Sequence, residues 1–172
     1  MKICKLTAVF ILVVIFSVPN AFAFGKGEAK KKIDALNKQV SEAANKGDLQ
    51  AAITAAEEVF DVSVKTFGEK SLETSRAMNN MANLYMYAGN AADAERMYKN
   101  AILIEVTEKG KDSTEVSDSY YNLGMAYAMQ EKFDEARQVM NLSLLIRQGK
   151  LGASHPDTVK AQKMLDELWQ RS

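Results

Sequence analysis

The spacing of apolar side chains predicts a chain made of helices. Apolar residues such as Met78, Met81 and Tyr85 fall three or four positions apart, as they do along one face of an α-helix. No stretch shows the alternation of apolar and polar residues that marks a strand. We therefore expect an all-α protein whose helices span about residues 28–46, 48–66, 71–88, 90–108, 113–130, 132–149 and 156–171.

Residue types also return at a fixed interval of 42 positions. Glycine, alanine, aromatic and aliphatic residues share this interval: Gly68, Gly110 and Gly152; Ala52, Ala94 and Ala136; Tyr85, Tyr127 and Trp169; Met81, Leu123 and Leu165. Because several residue classes keep one spacing, we interpret the pattern as an internal repeat of two amphipathic helices. The predicted units are hairpins at about residues 33–68, 74–110 and 116–152, followed by a capping helix at 156–171.

The breaks between the predicted helices carry the expected chemistry. Gly47-Asp48 and Gly89-Asn90 each combine a glycine, which tolerates a left-handed helix end, with a side chain that can cap the next helix. Glu131-Lys132 takes this place in the third unit and is a weaker stop. Between units, equivalent residues precede a first-turn acid and are predicted N-caps: Ser71, Ser113 and His155.

Residues 1–23 have the composition of an export signal. Two lysines precede an apolar run, and Ala21-Phe22-Ala23 fits a signal peptidase site. The alternative is an uncleaved anchor that tethers the protein to a membrane. We expect residues 24–32, which contain four lysines, to be a flexible basic linker, and we expect a bacterial protein that is exported to the periplasm or secreted.

The composition of the chain after residue 23 limits its chemistry. Cys4, the only cysteine, leaves with the signal, and His155 is the only histidine. Removal of two lysines leaves 20 basic and 22 acidic side chains. This balance lacks the excess of basic residues that nucleic-acid binding requires. No glycine-rich phosphate loop or nucleophile elbow is present. We therefore expect a protein that is not an enzyme and that needs no cofactor or metal.

Two segments resemble the tetratricopeptide repeat (TPR), in the 42-residue form found in kinesin light chain. They are MNNMANLYMYAGNAADAERMYKNAILIEV and YYNLGMAYAMQEKFDEARQVMNLSLLI, and LGASHPDTV resembles the joint between such repeats. The resemblance covers residues 33–171 and implies a right-handed α-solenoid. The first unit departs from the pattern, with Gln39 and Ala43 in place of an aliphatic and an aromatic residue. We therefore expect the first hairpin to be the loosest.

The resemblance also implies a binding surface. In this family the first helices of the repeats form a concave groove that receives a peptide or helix of a partner protein. Carried over position by position, the groove would contain Arg76, Asn79, Asn80, Asn83, Tyr87, Asp118, Tyr121, Asn122, Met125 and Met129. The amides of Asn80 and Asn122 recur at the repeat interval and can both donate to and accept from a peptide backbone. The alternative is that these amides bond to each other or to a neighbouring helix.

These features predict an exported adaptor or scaffold that binds other proteins. A self-associating structural component of an envelope complex is the alternative, with contacts through the first unit or through Trp169. An enzyme is the least favoured class, since His155 occupies a capping position beside Pro156.

Overall fold

The computed structural model describes residues 21–171, with side chains from residue 25 onward. The described residues form only helices, in the order α1 (Ala21–Asn45), α2 (Leu49–Phe67), α3 (Leu72–Tyr87), α4 (Ala91–Lys109), α5 (Thr114–Met129), α6 (Phe133–Leu151) and α7 (Pro156–Trp169). The predicted all-α fold is confirmed. Helices α2 to α7 begin and end within two residues of the predicted positions.

Helix α1 differs from the prediction at its amino end. Residues 24–32, expected to be a flexible linker, lie within α1. The Nζ atoms of Lys26 and Lys30 lie 5.9 and 6.0 Å from the ring centre of Phe67 at the end of α2. Lys32 forms an ion pair with Glu58 of α2, with Nζ and Oε1 2.7 Å apart. These contacts give the basic segment a partner in its own hairpin, which a solvated linker would not have.

The predicted export signal lies outside the described residues except for its last three positions, which begin α1. Within residues 21–171, every helix is too short or too polar to cross a membrane.

The predicted caps explain the regular helix boundaries. Five helices start where a side chain accepts a hydrogen bond from a backbone N–H of the first turn: Asp48, Ser71, Asn90, Ser113 and His155. In the turns within the hairpins, Gly47 and Gly89 have φ of 75° and 76°, and Glu131 takes the same left-handed position with φ of 58°. Lys132, the N-cap of α6, makes no capping hydrogen bond with its side chain. The turn within the third hairpin therefore lacks both the glycine and the capping hydrogen bond of the first two turns, as its sequence predicts.

The helices form an open array, because each packs mainly on the helices before and after it in the chain. Small residues permit close approach inside the hairpins: Ala82, Ala94 and Ala136 are fully buried, and a Cβ added at Gly124 would lie 2.9 Å from Cε of Met140. The main apolar cluster runs from Ala82 to Leu168, whereas the first hairpin contributes to two smaller clusters. This stacking leaves one face of each odd-numbered helix open to solvent.

Candidate functional site

Three clefts follow one another along the odd-numbered helices, between α1 and α3, between α3 and α5, and between α5 and α7. We call the surface that they form the trough. Their volumes are about 350, 280 and 180 Å³, at or below the lower end of the range of small-molecule pockets, roughly 300–1,000 Å³. A row of small clefts suits successive groups of a bound chain better than one compact ligand.

The cleft between α1 and α3 is polar and carries both signs of charge. Arg76 and Asn80 of α3 line it together with Asp34 of α1. Lys30 and Glu73, also in the lining, form a loose ion pair with Nζ and Oε1 3.9 Å apart. Asn80 is exposed, and within the described part of the chain its amide makes no hydrogen bond. This amide is therefore free to bind a partner.

The cleft between α3 and α5 combines amides with apolar and aromatic side chains. Its lining consists of Asn83, Met86, Tyr87, Tyr98, Asn122 and Met125. Tyr98 reaches the cleft from α4, and its hydroxyl donates to Oδ1 of Asn83 at 2.5 Å. Tyr87 is 83% exposed. The partly buried Asn122 amide has no hydrogen-bond partner among the described residues, so this cleft also offers an unused amide.

The cleft between α5 and α7 is rich in thioether side chains. Met125, Met129 and Met164 line it beside Leu168, and Glu167 and Arg171 complete the lining. Met125 lines this cleft and the preceding one, so the two are contiguous. Because methionine is flexible and polarizable, this part of the trough can adapt to apolar side chains of different shapes.

Seven of the ten residues predicted for the groove line one of these clefts, and Asn79 does not. Its Nδ2 donates to Oε1 of Glu105 and to Oγ of Ser119, both at 2.8 Å, and so links α3 to α4 and α5. Consecutive helical residues point roughly 100° apart. Asn80 therefore faces the trough while Asn79 is used inside the array.

Asp118 and Tyr121 also lie outside the three clefts. Oδ1 of Asp118 accepts from Nη2 of Arg147 at 2.9 Å. Tyr121 is 8% exposed, and its ring is covered by the Arg147 guanidinium at 4.8 Å and the Lys160 ammonium at 5.0 Å. Both side chains contact the buried Arg147 and therefore belong to the joint between the third hairpin and α7.

Polar residues are also buried at equivalent positions of the even-numbered helices, which the sequence did not lead us to predict. Ser63, Glu105 and Arg147 stand 42 residues apart and are 1%, 2% and 5% exposed. Burial raises the pKa of the Glu105 carboxyl, and hydrogen bonds from Ser119, Ser75 and Asn79 only partly offset this effect. The available signal was a polar residue recurring on an otherwise apolar helix face. Glu105 and Arg147 bond to residues of the following helices and connect successive units. Ser63 instead donates to the carbonyl of Val59 within α2 and lies in the lining of the α1–α3 cleft.

Solved structures share the fold. The nearly identical TPR-like repeats of a Podosopora anserina kinesin light chain match with a TM-score of 0.75 and 18% identity over 81% of this chain, which spans 66% of that structure, just under two thirds. BtubC (BKLC) from P. vanneervenii matches with a TM-score of 0.71 and 20% identity, over 89% of this chain and 67% of the other.

A structure of the first TPR of Spaghetti (RPAP3), bound to the HSP90 peptide SRMEEVD, matches with a TM-score of 0.59 and 17% identity, covering 81% of this chain and 92% of that one. At these identities the similarity concerns the fold alone.

Sequence comparison identifies the family. Curated protein sequences gave no match to this chain. The family model for the tetratricopeptide repeat matches residues 41–104 and 76–148, which together make up more than half of the chain. The first match runs from the end of α1 into α4 and the second from α3 into α6, and the chain belongs to the tetratricopeptide repeat family.

Proposed function

We propose that this chain is an exported, non-catalytic adaptor that holds a segment of another protein in the trough. The observation that carries the proposal is the set of unused binding groups on one face. The amides of Asn80 and Asn122 have no hydrogen-bond partner within the described part of the chain, although other polar side chains of α3 and α5 do. An unpaired amide in a cleft gains from a partner that supplies both a donor and an acceptor.

The order of chemistry along the trough supports a chain-like partner. The α1–α3 cleft is charged, the α3–α5 cleft offers amides, and the α5–α7 cleft offers thioethers. A segment lying across them would meet these environments in sequence, and we expect its apolar side chain beside Met129 and Met164. The peptide held by the first TPR of Spaghetti supports the view that this fold accommodates such a segment.

Site-specific photocrosslinking in the native cell tests the proposal. Benzoylphenylalanine replaces Met129 in the trough or, as the matched control, the exposed Leu145 of α6. We expect the probe at 129 to crosslink a defined segment of one partner, identified by mass spectrometry, and the probe at 145 to give no such product. Combining the probe with Asn80→Ala and Asn122→Ala should remove the crosslink while leaving the circular dichroism melt unchanged.

Two results would contradict the binding proposal. One is a partner segment crosslinked from position 145 and not from 129. The other is a crosslink at 129 that survives loss of both amides. Either outcome would move the working surface away from the trough.

The export part of the proposal rests on the composition of residues 1–23. The intact mass of the protein recovered from outside the cytoplasm should correspond to a chain that begins at Phe24. Recovery of the full-length mass in the membrane fraction would instead favour the uncleaved anchor.

A further inference from the structure

We propose that Tyr98 is a positioning residue that fixes Asn83 as a hydrogen-bond donor, so that the trough selects an extended segment with an exposed backbone carbonyl over a helix. This inference rests on the proposed function and adds the conformation of the partner. It starts from the one trough amide whose orientation is set from within the protein.

The contact between Tyr98 and Asn83 determines which end of the amide faces the cleft. Tyr98 is 1% exposed, and its hydroxyl lies 2.5 Å from Oδ1 of Asn83. If the amide were reversed, its NH₂ group would face the hydroxyl, and the buried hydroxyl hydrogen would lose its acceptor. The satisfied arrangement therefore occupies Oδ1 and leaves Nδ2 with two N–H groups for the cleft.

The surroundings of Tyr98 keep its hydroxyl a donor. Burial raises the pKa of the Tyr98 hydroxyl well above its ordinary value, and the nearby Tyr87 hydroxyl acts in the same direction. Tyr98 is therefore protonated throughout the physiological range. The repeat does not impose this pair, because Met140 and Met125 replace Tyr98 and Asn83 one unit later.

A fixed donor discriminates between backbone conformations. Carbonyl groups inside a helix already accept hydrogen bonds from their own chain, whereas an extended segment presents carbonyls that need a donor. The Asn122 amide lines the same cleft and can pair with a peptide N–H as well as a C=O. The two amides thus match an extended backbone, with Asn83 taking the carbonyl.

The test uses a peptide obtained by selection. A library of random linear peptides displayed on phage is selected against the purified protein from residue 24 onward, and the strongest binder is synthesised as the probe. Its affinity is measured for the wild type, Tyr98→Phe, Asn83→Ala and the double variant. Tyr85→Phe is the matched control, because the hydroxyl of Tyr85 makes no hydrogen bond within the described residues and Tyr85 lies in the same hairpin.

We expect Tyr98→Phe to weaken binding by roughly 5- to 10-fold, the effect of one hydrogen bond. The same change in the Asn83→Ala background should have no further effect, since Tyr98 acts through Asn83. A second variant, Asn83→Asp, can still accept from Tyr98 but has no N–H for the cleft, so it should weaken binding at least as much as Asn83→Ala. Tyr85→Phe should leave the affinity unchanged.

The outcomes separate this inference from the function on which it rests. Suppose that the selected peptide needs Asn122 but has the same affinity for the Tyr98→Phe and Asn83→Asp variants as for the wild type. This result would overturn the role of Tyr98 and leave the adaptor function standing. A selected peptide that is helical when bound would also overturn the inference. If the selected peptides bind independently of both Asn83 and Asn122, or if none binds, the inference and the proposed function fail together.

Discussion

Glu131 occupies a backbone conformation that the first two hairpins give to glycine. Its φ of 58° corresponds to 75° at Gly47 and 76° at Gly89. A left-handed residue with a Cβ carries strain of about 1–2 kcal/mol. We expect Glu131→Gly to raise the free energy of unfolding, measured in urea, by about 0.5–1 kcal/mol, because the greater freedom of glycine in the unfolded chain offsets part of the relief.

Gly89→Glu is the matched reverse change. A Cβ added at Gly89 would have no atom within 4 Å, so its effect reports backbone strain and not a collision. We expect this variant to lose about 1 kcal/mol. A Glu131→Gly protein less stable than the wild type would show that Glu131 contributes something other than strain.

Glu95 should make the free energy of unfolding depend on pH. Burial alone would raise its carboxyl pKa, but hydrogen bonds from Lys132, Lys99 and Gln130 outweigh burial and lower the pKa from 4.5 to about 2. Because the folded value lies below the unfolded one, the stabilisation is complete above pH 4.5 and is lost as the pH falls towards 2. Glu95→Gln should therefore cost about 2–3 kcal/mol at pH 6 and little near pH 2.

Urea unfolding at several pH values would measure this difference. Glu135→Gln, a change of the same type at an exposed position, should give a curve parallel to that of the wild type. A constant difference between Glu95→Gln and the wild type from pH 6 to pH 2 would contradict the assigned ionisation.

At the level of helices, local chemistry made most of the fold predictable. Most boundaries from α2 to α7 have a local signal, such as the capping hydroxyls of Ser71 and Ser113, and the start of α6 at Lys132 is the weakest. The amino end of α1 lacked such a signal, and its order depends on contacts with Phe67 and Glu58 of the next helix. A basic run alone gives no information on partners that lie across a hairpin.

The trough was less predictable than the helices, because helix orientation decides which polar residue is free. Asn79 and Asn80 are identical side chains one position apart, and the acceptors Glu105 and Ser119 across the joint give Asn79 a different role. Tyr98 lies on a core-facing position of α4, and its place in the lining of the trough and its bond to Asn83 are visible only in the structure.

Arg147 connects three segments and should fix α7 on the array. Its guanidinium donates to Oγ of Ser117, to Oδ1 of Asp118 and to the backbone carbonyl of Asp157 at the start of α7. Lysine cannot reproduce this planar fork, and its charge would remain buried. We expect Arg147→Lys to lower the free energy of unfolding by about 2–3 kcal/mol.

The same substitution at Arg96, whose side chain is 63% exposed, should change stability by less than about 0.5 kcal/mol. Limited proteolysis would show whether cleavage near residues 152–155 accompanies the loss at Arg147. Equal effects of the two substitutions would mean that the Arg147 contacts contribute no more than a surface ion pair.

The two ends of the molecule are polar where its interior units are apolar. Gln39 is exposed at the position equivalent to the buried Met81 and Leu123. Asp166 is exposed at the position of Ala82 and Gly124, which permit close packing within their hairpins. The apparent departure at Gln39 is therefore the polar outer face of an end unit, which disfavours end-to-end stacking of two copies.

Sedimentation velocity tests this interpretation against self-association. We expect the wild type to sediment as a monomer over a wide concentration range, and the combination of Gln39→Leu with Asp166→Ala to shift towards larger species because both ends become apolar. Gln39→Leu alone should have a smaller effect. Concentration-dependent assembly of the wild type would favour the structural-component alternative, with the partly exposed Trp169 as the first contact to examine.

The apolar core is distributed unevenly, and this should determine the order in which the hairpins open. The main cluster joins α3 to α7. Among the described side chains of α1, those of residues 25–45, only Leu36 is buried, and α2 contributes mainly small buried side chains. Helix α1 packs mainly on α2, and its ion pairs lie among exposed side chains, where such pairs contribute little. The first hairpin therefore has less buried surface to lose on opening.

Native-state hydrogen exchange resolves this order amide by amide. We expect residues 28–66 to exchange at least roughly tenfold faster than residues 74–146, through an opening that leaves the second and third hairpins folded. Denaturant should accelerate hydrogen exchange more strongly in the second and third hairpins than in the first, since their opening exposes more surface. Uniform protection across all three hairpins would mean that the array unfolds as one unit. The contacts at the α2–α3 joint would then outweigh the smaller buried core of the first hairpin.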